Sequence, residues 1–202
     1  MEENELVSVS DNNSEKIEFT YKGNLYSSNF YYQDTIMVIE NAEVNDIYQT
    51  ISSLPELATF VNESGAIYYF DSYNEQMEYL EKNFKPEETL STRATVDPYC
   101  ILSLYKDINY GSTRIELTTT STHQGDLGDH NFNDQLSSFR MAATVPYMVT
   151  FYRDKDFGGV TITFHTLPIT NQVEVSNLKN YNCSSHRTWN DQATCYRLTK
   201  WL

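Results

Sequence analysis

A chain of 202 residues with a formal net charge of −14 has room for one large domain or two modest ones. Its 40% apolar share and 16 tyrosines supply a core and favour strands, and no apolar run reaches the roughly eighteen residues of a membrane span. The charge is lopsided: residues 1–99 hold 5 Lys and Arg against 19 Asp and Glu, while residues 100–202 hold 9 against 9, so nothing builds the basic stripe that nucleic acid requires.

Residues 1–16, MEENELVSVSDNNSEK, lack the basic start and apolar stretch of a signal peptide. They read as a flexible acidic tail, of the kind left when a leader or lipid-attachment segment has been removed. Residues 17–26, IEFTYKGNLY, predict a hairpin around Gly23-Asn24, and TIMVIE at 35–40 predicts a further strand. Val44, Ile47, Tyr48 and Ile51 recur at helical spacing, with Pro55 closing the helix. ATFV at 58–61 and AIYYF at 66–70 flank a second turn. Ser72 and Glu75 form a capping-box pattern opening a helix whose Tyr73, Met77, Leu80 and Phe84 share a face. Residues 17–84 are therefore expected to form a small α+β domain. It carries no nucleophile, metal cluster or phosphate loop. Its carboxylates read as a solvated face, with a docking surface for a basic protein partner as the sharper alternative. Residues 85–98, KPEETLSTRATVDP, have the composition of a linker.

From residue 99 onward the pattern becomes short alternating strands. LYKDINYGSTRIEL (104–117) aligns with FYRDKDFGGVTITF (151–164) at a constant offset of 47. NDQLSS (133–138) aligns with NDQATC (190–195) at an offset of 57, so the second copy carries ten extra residues, around 165–188. Phe132 and Trp189 precede the two six-mers, and Phe139-Arg140-Met141 and Tyr196-Arg197-Leu198 follow them. One unit of about fifty residues is written twice. In each copy two aromatics five apart bracket an Asp and precede a glycine. A strand folding over into a hairpin would bring such rings together, with the glycine supplying backbone freedom and Asp107 and Asp154 accepting from turn amides. Strand, hairpin, long connection and return strand make a Greek key, and two keys make a β-sandwich.

This arrangement resembles the βγ-crystallin family over about residues 100–202. Tyr105, Tyr110 and Gly111 (or Ser112 in the nominal slot) fit the family's Y/F-x-x-x-x-Y/F-x-G signature, and Tyr152, Phe157 and Gly159 fit it outright. Asn133, Asp134, Ser137 and Ser138 match the calcium signature N/D-N/D-x-x-S/T-S; Asn190, Asp191 and Thr194 match it with Cys195 in the last place. The resemblance implies two paired Ca2+ sites that exchange ligands between the motifs. Asp134 and Asp191 would be the anionic ligands and Ser137 and Thr194 the hydroxyls. The backbone carbonyls of Gln135, Gln192, Lys106 and Arg153 would complete the sets. Calcium takes six to eight oxygens, and about one carboxylate per site implies micromolar to millimolar affinity. Such sites fill only where calcium is near millimolar, which implies a secreted or surface-tethered bacterial protein. Some microbial members inhibit metalloproteinases through an exposed loop, an alternative role for the extra residues near 165–188.

Chemistry elsewhere is sparse. Cys100, Cys183 and Cys195 allow at most one intrachain disulfide and have no zinc spacing. His123, Asp126, Asp129 and His130 form the cluster HQGDLGDH, which could hold a transition metal but lies in a Gly-rich connection. His165 and His186 have no nucleophile or carboxylate partner in sequence, so an enzyme is not expected.

Overall fold

The computed structural model describes residues 15–34, 36–84, 97–166, 171–184 and 187–201. The expected tail through residue 14, the linker from 85 through 96 and His186 lie outside them. In chain order the elements are β1 (Glu15–Tyr21), β2 (Asn24–Gln33), β3 (Ile36–Ile39), α1 (Ala42–Ser52), β4 (Ala58–Val61), β5 (Ile67–Phe70) and α2 (Tyr73–Asn83). Then come β6 (Cys100–Tyr105), β7 (Arg114–Thr119), β8 (His123–Asp126), β9 (Ser138–Ala143), β10 (Tyr147–Tyr152), β11 (Thr161–His165) and β12 (Gln172–Val175). The short β13 (Asn182–Ser184) and β14 (Arg187–Thr188) precede the last strand, β15 (Cys195–Lys200).

Local chemistry sets these boundaries. Tyr21 pairs with Asn24 across a two-residue loop of Lys22 and Gly23, both at positive φ (49° and 78°), the turn whose twist matches a hairpin. The loop is thus one residue earlier than expected, because Asn24 serves as the first strand residue. Asn41 caps α1 by accepting from the Val44 amide at 3.1 Å, and Val44, Tyr48 and Ile51 face inward. Ser72 caps α2 by accepting from the Glu75 amide at 3.3 Å, but the Glu75 carboxylate reaches back to the Asp71 amide instead of to Ser72. Leu80 and Gln76 are the residues α2 buries.

Nine strands form one sheet in the order β3-β2-β1-β5-β4-β11-β10-β15-β8, and four form a second, β12-β9-β6-β7. Each duplicated segment has four main strands; its first, second and fourth share a sheet, and its third joins the sheet of the other copy: β8 pairs with β15, and β12 with β9. The two faces bury a continuous core that includes Leu104, Phe139, Phe151, Phe164, Trp189 and Leu198.

The two chemically distinct halves do not keep separate sheets. β4 runs parallel to β11 with Ala58 opposite Thr161 and Val61 opposite Phe164, so the acidic half continues the sheet of the duplicated half. Phe19, Tyr48 and Ile51 belong to the same core as Phe139 and Leu198. On the opposite face Phe60, Leu80 and Met148 pack together, and the Trp201 indole donates to the Phe84 carbonyl at 3.0 Å. The ten extra residues also serve this seam in part: β13 and β14 form a hairpin whose Asn182 amide donates to the Tyr48 hydroxyl. The described part of that segment is docked, not displayed as a free loop.

His165 lies in the same seam. Its ring stacks on Phe60 at 5.4 Å, Nδ1 faces the Thr166 carbonyl at 3.1 Å, and Nε2 is buried without a partner among the described residues. Burial pushes its pKa below the ordinary value, against a smaller opposing pull from Glu63. The folded state therefore binds fewer protons than the unfolded one, and stability falls as pH drops from about 6.5 towards the folded pKa. We expect His165→Gln to remove that component of the slope, which is at most about 1.4 kcal/mol per pH unit. Urea midpoints of both proteins between pH 5 and 8 check this; parallel curves would show that His165 does not titrate with folding.

The three cysteines form no bridge: all are free and buried. Burial raises all three thiols, Cys100 to about 12, which leaves them short of thiolate and unreactive.

Candidate metal centre

The duplication is written in the backbone torsions. Asn109 and Tyr110 stand at φ 56° and 62°, and Asp156 and Phe157, 47 residues on, at 57° and 58°. Asp134 and Asp191, 57 apart, stand at 51° and 55°. The aromatic pairs close as expected, Tyr105 on Tyr110 at 5.6 Å and Tyr152 on Phe157 at 5.5 Å, both edge to face.

Two sequence expectations about this fold-over need correction. Gly111 and Gly158 have ordinary negative φ (−82° and −101°); the left-handed position is one residue later, at Gly159 (71°) and at Ser112 (63°). Neither Asp107 nor Asp154 caps its turn through the side chain. The Asp154 carboxylate is occupied by the neighbouring Arg153 guanidinium, at 3.0 and 3.2 Å.

The six-mers are welded to each other reciprocally. The Asp134 amide donates to the Ala193 carbonyl at 3.1 Å, and the Asp191 amide to the Leu136 carbonyl at 2.9 Å. The Ser137 amide donates to the Tyr105 carbonyl and the Thr194 amide to the Tyr152 carbonyl, both at 2.9 Å. Each six-mer is thereby pinned against the other and against the hairpin of its own copy. These carbonyls were not singled out from sequence; the 57-residue equivalence was the signal that could have paired them.

The side chains cross over in the same way. The Thr194 hydroxyl lies 2.6 Å from the Arg153 carbonyl and 3.5 Å from Asp134 Oδ1. A hydroxyl has one proton, and the shorter contact takes it. Its lone pairs are then left towards Asp134, oxygen facing oxygen. In the other half Ser137 Oγ donates to Asp191 Oδ1 at 3.2 Å. Asn133 and Asn190 each turn Nδ2 onto the following carboxylate at 2.6 Å, and each leaves a buried Oδ1 with no hydrogen-bond partner. These two oxygens at equivalent positions, each beside a carboxylate and without a partner among the described residues, are hard donors of the type a hard cation prefers. Gln192 turns its side-chain amide onto the Asp191 carbonyl at 2.8 Å. Gln135 and Lys106 are partly exposed residues of the first six-mer and its opposing hairpin.

Ser138 does something else: its Oγ donates to the Asp107 carbonyl at 2.7 Å and accepts from the Tyr110 amide at 3.0 Å. It ties the fold-over to the six-mer. Cys195 occupies the equivalent place with a buried thiol, a weaker donor.

Among the described residues no group of three or more His, Cys, Asp or Glu converges. In HQGDLGDH, Asp126 accepts from the Gly128 amide at 2.6 Å and the His123 ring lies against Tyr196 at 5.9 Å. Among the described residues no helix is long and apolar enough to cross a membrane.

No family model and no curated protein matches this chain. Solved structures do. A double mutant of a βγ-crystallin domain from Clostridium beijerinckii is 21% identical with a TM-score of 0.35, covering 49% of this chain and 96% of that domain. A βγ-crystallin from an archaeon is 20% identical with a TM-score of 0.33, covering 48% and 95%. Spherulin 3a from Physarum polycephalum is 18% identical with a TM-score of 0.34, covering 50% and 84%. About half of this chain thus matches solved βγ-crystallin domains.

Proposed function

We propose that the chain is a calcium-binding, non-enzymatic module in which Ca2+ at two paired sites stabilises a sandwich of two Greek keys. The observation that carries this reading is the reciprocal crossing of the six-mers: Thr194 lies beside Asp134, Ser137 beside Asp191, and Asn133 and Asn190 each keep a buried unpaired oxygen. Bound calcium would supply a compact double positive charge to these oxygens. Asp134 with Thr194 and the Arg153 carbonyl would form one set, and Asp191 with Ser137 and the Lys106 carbonyl the other. The Gln135 and Gln192 carbonyls would complete them.

Each set draws on both copies, so a cation in either one holds the two copies together. With one carboxylate per set, affinity belongs to the micromolar to millimolar range, which fits a compartment rich in calcium and hence a place outside the cytoplasm. Among its described residues the acidic half brings no group of three or more His, Cys, Asp or Glu together, and it is read as an extension of the same scaffold. Calorimetric titration of calcium into the metal-free full chain tests the proposal: two sites are expected, and absence of heat at millimolar calcium would end it.

A further inference from the structure

The two large sheets end in four edge strands, β3 and β8 on the nine-stranded sheet and β12 and β7 on the other. A free edge presents unpaired amides and carbonyls, and proteins ordinarily blunt it with charge, a proline or a bulge. Three of the four edges follow this rule: β7 carries Arg114 and Glu116, β8 carries His123 and Asp126, and β12 carries Glu174. β3 does not. It reads Ile36-Met37-Val38-Ile39 and pairs with β2 without a register break. Ile36 is 62% exposed, and Tyr32, opposite Met37, is 60% exposed.

The register fixes which groups this edge offers. The Glu40 amide donates to the Asn29 carbonyl at 3.0 Å, and hydrogen-bonded pairs alternate along an antiparallel ladder. Ile36 and Val38 therefore bond to Gln33 and Tyr31, while Met37 and Ile39 turn their amides and carbonyls outward. Among the described residues no strand lies on that side.

Charge decides the occupant. Asp34 and Glu40 stand just beyond the two ends of β3, both exposed. Among the described residues neither of them, nor Glu43 in the first turn of α1, has an ion-pair partner. Lys16 and Lys22, the only Lys or Arg of residues 15–70, are engaged by Glu18 and Asp71. A second copy fits this edge poorly. Of the two-fold pairings that overlap most of the strand, one centres on Met37 and sets Asp34 opposite Glu40 of the other copy. The other centres on Val38 and sets Ile36 opposite that carboxylate. Like charges directly opposite destabilise a sheet. The chain's first fourteen residues hold four carboxylates and no Lys or Arg, and the same repulsion disfavours them.

We infer that the β3 edge is a docking site for an extended basic segment of a partner protein, added as a tenth strand. Its main chain bonds to Met37 and Ile39, its apolar side chains lie beside Ile36 and Val38, and a Lys or Arg at each end meets Asp34 and Glu40. None of these residues belongs to the calcium sets, so the inference does not depend on that reading.

The test titrates the ¹⁵N-labelled full chain in calcium-free buffer with the capped peptide KKVTVTVKK, and separately with EEVTVTVEE. The basic peptide is expected to give saturable shifts of the Met37 and Ile39 amides and slowed hydrogen exchange at both, and the acidic one neither. Asp34→Lys combined with Glu40→Lys, both at exposed positions, should weaken binding at least about tenfold, since each attraction becomes a repulsion. Glu81→Lys combined with Glu116→Lys, the same change in net charge placed on α2 and β7, should leave it unchanged. Met37→Pro removes one outward amide where an edge strand tolerates proline, and should abolish the shifts. Equal binding of the two peptides, or wild-type affinity in the Asp34→Lys, Glu40→Lys protein, would overturn the assignment. So would a free chain that sediments as a dimer until Met37→Pro is introduced, which would give the edge to a second copy.

Discussion

Gly159→Ala is expected to lower stability by about 2–4 kcal/mol, from left-handed backbone cost and steric overlap together. Gly159 stands at φ 71°, where a side chain strains the backbone. A Cβ there would run into the Asp154 carboxylate and lie 3.2 Å from Asp154 Cβ, so the whole Asp154 side chain, with its Arg153 contacts, would have to move. The duplication supplies the control. Ser112 occupies the same place in the first copy at φ 63°, so that copy already tolerates a side chain. Ser112→Gly relieves strain but adds freedom to the unfolded chain, so we expect a gain of no more than about 1 kcal/mol. Urea unfolding of the two variants checks the pair. A Gly159→Ala midpoint equal to wild type would mean that the second fold-over does not constrain the sandwich.

Much of the duplicated half was legible because its signals are local and come twice. The five-residue spacing of Tyr105 and Tyr110, repeated at Tyr152 and Phe157, places four rings and two fold-overs without any long-range information. Helix α1 was equally open to reading, since Val44, Tyr48 and Ile51 fall on one face and Pro55 stops it. Read from the repeat alone, the permissive glycine fell at Gly111 and Gly158, one residue early, because sequence shows which residue is permissive, not which torsion is left-handed; the slot of the family signature, Ser112 and Gly159, is the left-handed one. Ser112 proves the point: the backbone there is left-handed without a glycine.

The joining of the halves was not legible. A parallel pairing of β4 with β11 leaves no mark on either strand, since both read as buried apolar segments whatever lies beside them. The register of Ala58–Val61 on Thr161–Phe164, with Phe60 against His165 and Tyr48 against Asn182, reveals which edge is covered. An exposed β11 would be an open edge next to the core, and β4 covers it. Of the candidate site, the six-mers could be read as units from their repeat. Their crossing, Asp134 to Thr194 and Asp191 to Ser137, is a tertiary fact that came only through the family resemblance.

Millimolar calcium is expected to stabilise the metal-free chain by about 2.7 kcal/mol for each site filled at a hundred times its dissociation constant, and so by roughly twice that for two independent sites. Asp134→Ala and Asp191→Ala each delete the sole carboxylate of one set, so each should lose about half of the gain, and the double variant nearly all of it. The metal-free stabilities separate this from ordinary damage to the fold. Asp134 and Asp191 accept from Asn133 and Asn190 at 2.6 Å on exposed positions, and Asp191 also accepts from Ser137 at 3.2 Å, so losing one or two such bonds costs only about 1–2 kcal/mol. A calcium effect that disappears while the chelated proteins stay within that margin of wild type assigns the loss to the metal. Because Thr194 serves Asp134's set and Ser137 serves that of Asp191, Thr194→Val should mimic Asp134→Ala in calcium and leave the other site intact. Thermal melts of the four variants and wild type with calcium and with chelator decide it. If the double variant gains as much from calcium as wild type does, the twin six-mers are turns and nothing more.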